Sequence, residues 1–198
     1  LLVYGLTRDS RRRAAVLAVG ERLGLAYSRR ASDLLAVFAD IPTMATAPHQ
    51  SFLHVLRSPE WVICDWSIVR VHEKPRRRRM QTMIARRIPE ADLPHFRIVG
   101  SGIPNTALRY FAGGMIGLDH RGATASRGQG PRIEGVDPRR ISEFFDDERV
   151  ARIEMPEKLV IEGGGDWLVC YVPLRRQSPS EWVDFRERAT RGFDRIPG

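Results

Sequence analysis

The chain has 198 residues, enough for one domain with a real core. Apolar residues make up 42% and charged residues 28%, a balance that excludes wholesale disorder. The net charge of +8 points to anionic partners: lipid head groups, nucleic acid or an acidic protein surface. Lys74 and Lys158 are the only lysines, so arginine carries nearly all the positive charge. A GC-rich genome produces the same bias without any selection for binding, and that reading competes with the functional one.

In chain order, Leu1–Leu6 is apolar with Tyr4 near its edge, and Arg8 and Arg11–Arg13 follow at once. An apolar run met by an arginine cluster is how a membrane helix ends on its cytoplasmic side. Residues 1–8 are therefore read as the end of a membrane segment lying mostly before Leu1, or as an N-terminal arm. Residues 9–198 are read as a single α+β domain. Val16, Val19, Gly20 and Leu23 fall at helical spacing, which predicts a helix over Arg11–Leu25 that Gly24 can end. Ser32 or Asp33 opens a second, short helix through Phe38, and Pro42–His49 reads as loop.

The strongest signal is Trp61–Ile88. Val62, Cys64, Trp66 and Ile68 share one face of a strand, and Ile63, Val69 and Val71 share the other, so the strand should be covered on both sides. Met80, Thr82, Ile84 and Ile88 alternate along a return strand. With Ser51–Leu56 these make a three-stranded antiparallel meander, Phe96–Val99 being a candidate fourth member.

Asn105–Gly117 is a candidate helix, and Asp119–Gly130 is rich in glycine and small polar residues. Asp137-Pro138 suits a helix start, and Leu159–Glu162 with Trp167–Val172 reads as a second hairpin through Gly163–Asp166. The last helix opens on Ser178, Pro179 and Glu181 and carries the stripe Trp182, Phe185, Ala189 and Phe193. The predicted fold class is α+β: an antiparallel sheet of two β-hairpins or a meander, packed with amphipathic helices at both termini.

Lys74, Arg76, Arg77, Arg78 and Arg79 form the sharpest charge feature, and Arg11, Arg12 and Arg13 add to it. These eight are the candidate residues for an anionic surface or partner; a solvated hairpin tip is the plain alternative. Five scattered histidines lack metal-ligand spacing, no serine sits in a nucleophile elbow, and the glycine runs lack a P-loop lysine. No catalytic residue, metal or cofactor is assigned. Cys64 and Cys170 lie inside strand patterns and read as small buried hydrophobes.

Several short motifs resemble a group of uncharacterised bacterial proteins in which one or two membrane helices precede a soluble α+β domain. They are the basic helix Arg11–Leu25, the pair Asp65-Trp66, Gln81-Thr82-Met83, Leu93-Pro94-His95-Phe96, Ile161-Glu162-Gly163, Trp167-Leu168-Val169 and the proline-led closing helix. The resemblance implies a membrane-tethered domain of unknown activity on the cytoplasmic face of the bacterial inner membrane, and it carries over no catalytic residues. The leading functional reading is a non-enzymatic, membrane-associated interaction domain, an accessory or scaffold subunit of a membrane protein complex. The alternatives are a nucleic-acid-binding protein using the same basic loop, or a small enzyme with a site around Asp65, His72 and Asp119-His120.

Overall fold

The computed structural model describes residues 2–47, 49–69, 78–103, 132–146, 148, 150, 153, 155 and 157–196, without the side chains of residues 2–8. Eight strands form one continuous antiparallel sheet: β1 (Ala26–Arg30), β2 (Gln50–Arg57), β3 (Trp61–Val69), β4 (Arg78–Arg87), β5 (Leu93–Val99), β6 (Arg132–Gly135), β7 (Val160–Gly165) and β8 (Trp167–Tyr171). Their spatial order is β1-β2-β3-β4-β8-β7-β5-β6. The expected α+β class, two hairpins packed by two terminal helices, is corrected by this sheet-dominated architecture. The two hairpins are not separate units. β8 pairs with β4 from Met83↔Tyr171 to Arg87↔Trp167, and this joins the first meander to the second.

The β2-β3-β4 meander is present, but Phe96–Val99 is not its neighbour. β5 lies beyond β8 and β7 and pairs with β7 and β6. β3 is buried on both faces, as its two-sided apolar pattern requires. One face carries Ile63, Ile84, Cys170, Ile161, Phe96 and Ile98 under α1 (Leu2–Leu23), α4 (Pro138–Phe144) and α5 (Trp182–Phe193). The other carries Cys64, Trp66, Met83, Val169 and Tyr171 under α2 (Leu34–Val37) and α3 (Pro42–Thr46). Cys64 and Cys170 are buried free thiols on opposite faces.

α1 begins well before the expected Arg11 and runs for 22 residues. It ends where Gly24 takes φ +65°. Gly20 lets it approach the sheet, because a Cβ there would lie 2.8 Å from Leu56 Cδ2. Among the described residues no helix is long and apolar enough to cross a membrane. The expected loop at Pro42–His49 contains α3 instead, with Pro42 in its first turn, where the missing N–H costs nothing.

The expected stripe of α5 is buried in full. Glu181 closes the turn before it by accepting from the Ser178 backbone N–H at 2.8 Å. Asp137 caps α4 through the N–H groups of Arg139 and Arg140. The second hairpin forms with a tighter turn than expected. Gly163 and Gly164 stay in the β7–β8 ladder opposite Leu168 and Trp167, and only Gly165 takes positive φ. Asn105–Gly117, Asp119–Gly130 and the loop residues Lys74, Arg76 and Arg77 lie outside the described residues.

Candidate basic face and the buried carboxylates behind it

β3 places Asp65 and Ser67 on the sheet face that α1 covers, about 7 Å apart at strand rise. Asp65 is fully buried and is held by two guanidinium groups. Arg12 of α1 donates from Nε at 2.7 Å and from Nη2 at 2.6 Å, a bidentate pair. Arg176 donates from Nε at 3.0 Å and Nη2 at 2.7 Å. Thr82, directly across on β4, adds its hydroxyl at 3.2 Å, and Arg12 also caps the Gln177 carbonyl at 2.9 Å. Ser67 accepts from Arg78 Nε at 2.7 Å at the start of β4.

The structure thus brings the arginine run of α1 and the first arginine of β4 to one neighbourhood. Arg11, Arg13 and Arg78 are exposed there, Arg79 is half-buried, and Arg12 is turned inward onto Asp65. The inward turn of Arg12 has a sequence signal: Arg12, Val16, Val19 and Leu23 follow i, i+4, i+7 and i+11, so Arg12 extends the apolar stripe. Arg30 joins the group from β1, since the register runs Arg30↔Leu53 and Leu53↔Asp65. Arg30 and Arg176 were not picked out by the sequence reading.

Charge pairing separates these arginines from the rest. Arg29, Arg57, Arg86, Arg87, Arg132, Arg139, Arg140 and Arg175 each face an acid within ion-pair distance. Arg11, Arg13, Arg30 and Arg78 have no such acid among the described residues. Asp9, three residues before Arg12, is already committed to His54 Nε2 at 3.0 Å and Arg29 at 3.1 Å. Burial works against the Asp9 charge, but His54 and Arg29 outweigh it and lower its pKa. His54 is buried at the β2 bulge with φ +49°, and its Nδ1 lies 3.3 Å from the Tyr27 hydroxyl.

A second carboxylate, Glu162, is buried on the opposite face. It accepts from Arg97 Nε at 2.8 Å, the Tyr171 hydroxyl at 2.6 Å, the Thr43 backbone N–H at 2.8 Å and the Thr43 hydroxyl. Burial opposes the Arg97 charge, yet Glu162 prevails and raises its pKa. Burial and Glu162 also push Tyr171 well up, so its hydroxyl stays a donor. The sequence reading missed this set; the signal was Arg97 inside the apolar run Phe96–Val99 and Glu162 directly after the apolar run Leu159–Ile161. Every oxygen of both buried carboxylates accepts at least one hydrogen bond, so each carboxylate is engaged in holding its neighbours. Of the sequence-level enzyme candidates, Asp65 is so engaged, and His72, Asp119 and His120 lie outside the described residues. Among the described residues, no three His, Cys, Asp or Glu side chains converge as a metal site.

No family model and no curated protein matches the chain. Among solved structures, the fold is similar to the crystal structure of the mycobacterial trehalose monomycolate transport factor A, TtfA. The TM-score is 0.53 at 13% identity, covering 96% of this chain and 96% of that one. At that identity the likeness is one of fold.

Proposed function

We propose that the chain is a non-enzymatic accessory domain that works beside membrane transport machinery at the cytoplasmic face of a bacterial inner membrane. The observation that carries this reading is the end-to-end fold likeness to a transport factor. The basic face around Arg11, Arg13, Arg30 and Arg78, which meet no acid among the described residues, supplies the contact with anionic lipid or an acidic subunit. Arg12 and Arg176 serve that face indirectly, by fixing α1 and the segment before α5 to Asp65.

The test is co-sedimentation of the full chain with vesicles of phosphatidylcholine, with and without phosphatidylglycerol, at low and high salt. Binding should require the anionic lipid and weaken as salt rises. Each basic side chain near an anionic surface contributes about 1 kcal/mol, so Arg11→Gln with Arg13→Gln should weaken binding about thirtyfold without loss of stability. Arg12→Gln should lower stability instead. Equal partition to neutral and anionic vesicles would remove the lipid contact. Tight, salt-steep binding to a short DNA duplex without vesicle binding would favour a nucleic-acid role.

A further inference from the structure

We propose that the groove between the end of α1, the start of β3 and the outer face of α5 binds a single acyl chain ending in a carboxylate. Its tail would lie on Leu23, Trp61 and Val183, and its head group on Arg186. The groove is open to solvent and offers about 420 Å³. That is within the roughly 300–1,000 Å³ range of small-ligand sites, towards its lower end. Its lining combines the apolar Leu23, Trp61 and Val183 with the cationic Arg186 and Arg191, the two kinds of group an amphiphile requires.

Arg186 is the group that asks for an anion. Its guanidinium lies 4.5 Å from the centre of the Trp61 ring and has no acid partner among the described residues. Arg86 also lies over that indole, at 5.6 Å, but it is committed to Asp194 at 2.5 Å. Burial, and then the nearby Arg86, push the Arg186 pKa down; the charge of a bound carboxylate acts in the opposite direction. Thr190, which also lines the groove, has its hydroxyl tied to the Arg186 carbonyl at 2.9 Å and does not compete for the guanidinium.

The charge of the wall selects the head group. Arg186 and Arg191 face one acid, Glu187, which leaves a single net positive charge. A monoanion balances that charge, whereas a phosphate dianion would meet Glu187. Arg matches a carboxylate in a two-point fork, which suits this choice. The groove lies eleven residues along α1 from Arg12, about 16 Å at helical rise. It is therefore distinct from the basic face, and the proposal does not depend on membrane binding.

The test uses the full chain with decanoate, decanol and decyltrimethylammonium, each below its micelle concentration and with no bilayer present. Calorimetry gives affinity and stoichiometry, and tryptophan fluorescence follows the four indoles, of which Trp61 lines the groove. One decanoate per chain is expected, with decanol at least about tenfold weaker and the cation weaker still. Arg186→Gln should cut decanoate affinity about tenfold and leave decanol and vesicle binding unchanged. Val183→Glu should abolish both decanoate and decanol binding. Equal affinity for decanoate and decanol on the unaltered chain overturns the proposal, even should a variant fail to fold. Unchanged decanoate affinity in a folded Arg186→Gln chain overturns it as well.

Discussion

Replacing Glu162 by glutamine removes a negative charge while keeping the shape of the side chain, at a position with no solvent exposure and beside an arginine only 3% exposed. An amide there has two orientations. With its oxygen at the Oε1 position it still accepts from Arg97, Thr43 and Tyr171, but its NH₂ then faces the Thr43 backbone N–H, which had donated to Oε2 at 2.8 Å. The opposite orientation sets NH₂ against three donors. Either way a bond is lost, and Arg97 is left with the partly exposed Glu134 at 3.6 Å in place of a close, buried ion pair. Leaving a buried charge without its partner costs about 3–5 kcal/mol. For a chain of this length each kcal/mol moves Tm by about 2–4 °C, so the expected drop is roughly 6–20 °C.

Urea denaturation followed by tryptophan fluorescence measures the loss through Cm at constant m. The decisive comparison is a double-mutant cycle with Arg97→Met and Glu162→Met. Each single change should be costly, and the pair together should recover most of the loss, because two matched apolar chains replace a buried ion pair at little net cost. A loss under about 1 kcal/mol for Glu162→Gln, or singles that simply add, would refute the claim that this pair is buried and mutually dependent.

Two further outcomes follow from the backbone and the caps. A Cβ at Gly164 would stand 2.1 Å from the Asp40 carbonyl oxygen, a backbone atom that cannot swing aside, so Gly164→Ala should cost at least the upper end of about 1–3 kcal/mol. Gly24→Ala meets nothing within 4 Å and should cost only the left-handed backbone penalty of about 1–2 kcal/mol; urea melts of both variants check the ordering. The Ser178 backbone N–H and hydroxyl, and then Arg175, hold the Glu181 carboxyl below its ordinary value of 4.5. A depressed folded pKa contributes stability above the ordinary value and loses it as pH falls through the folded one. Glu181→Gln should therefore cost about 1 kcal/mol near neutral pH, and the gap to the unaltered chain should narrow in urea melts as pH falls below the ordinary carboxyl value of 4.5.

How much of this could be read from the sequence depended on whether an element carries its own apolar pattern. β3 and α5 do: alternating apolar residues fill both faces of Trp61–Val69, and Trp182, Phe185, Ala189 and Phe193 repeat at helical spacing behind a capping box. β1 does not. Ala26–Arg30 is an edge strand with an exposed pattern, and it exists because β2 supplies its ladder. α3 is a five-residue turn held partly by the Thr43–Glu162 bonds, a tertiary contact that no local window contains. The insertion of β8 between β4 and β7 is likewise a long-range choice of register, which local alternation does not specify. The same distinction governs the site. The arginine clusters were legible as charge, but which arginine turns inward depends on α1 docking against β3.

That inward turn bears on whether the arginine content is compositional or selected. Two buried acids, Asp65 and Glu162, pair with Arg12, Arg176 and Arg97, a group of one net positive charge, so about +7 of the +8 remains for the rest of the chain. Arginine spread by codon bias alone would leave unpaired cations scattered over the surface. Instead, the arginines without an acid partner among the described residues fall into two sets. Arg11, Arg13, Arg30 and Arg78 gather around the Asp65–Ser67 end of β3. Arg22, Arg186, Arg188 and Arg191 gather around the end of α1 and along α5. Exposed charges act over about 8–10 Å at physiological salt, so grouping rather than total charge decides whether an anion is held. The first set forms a face broad enough for a surface, and within the second Arg186 and Arg191 line a groove sized for one chain. A shared preference for anions with different ligand geometry is what the vesicle and decanoate measurements separate.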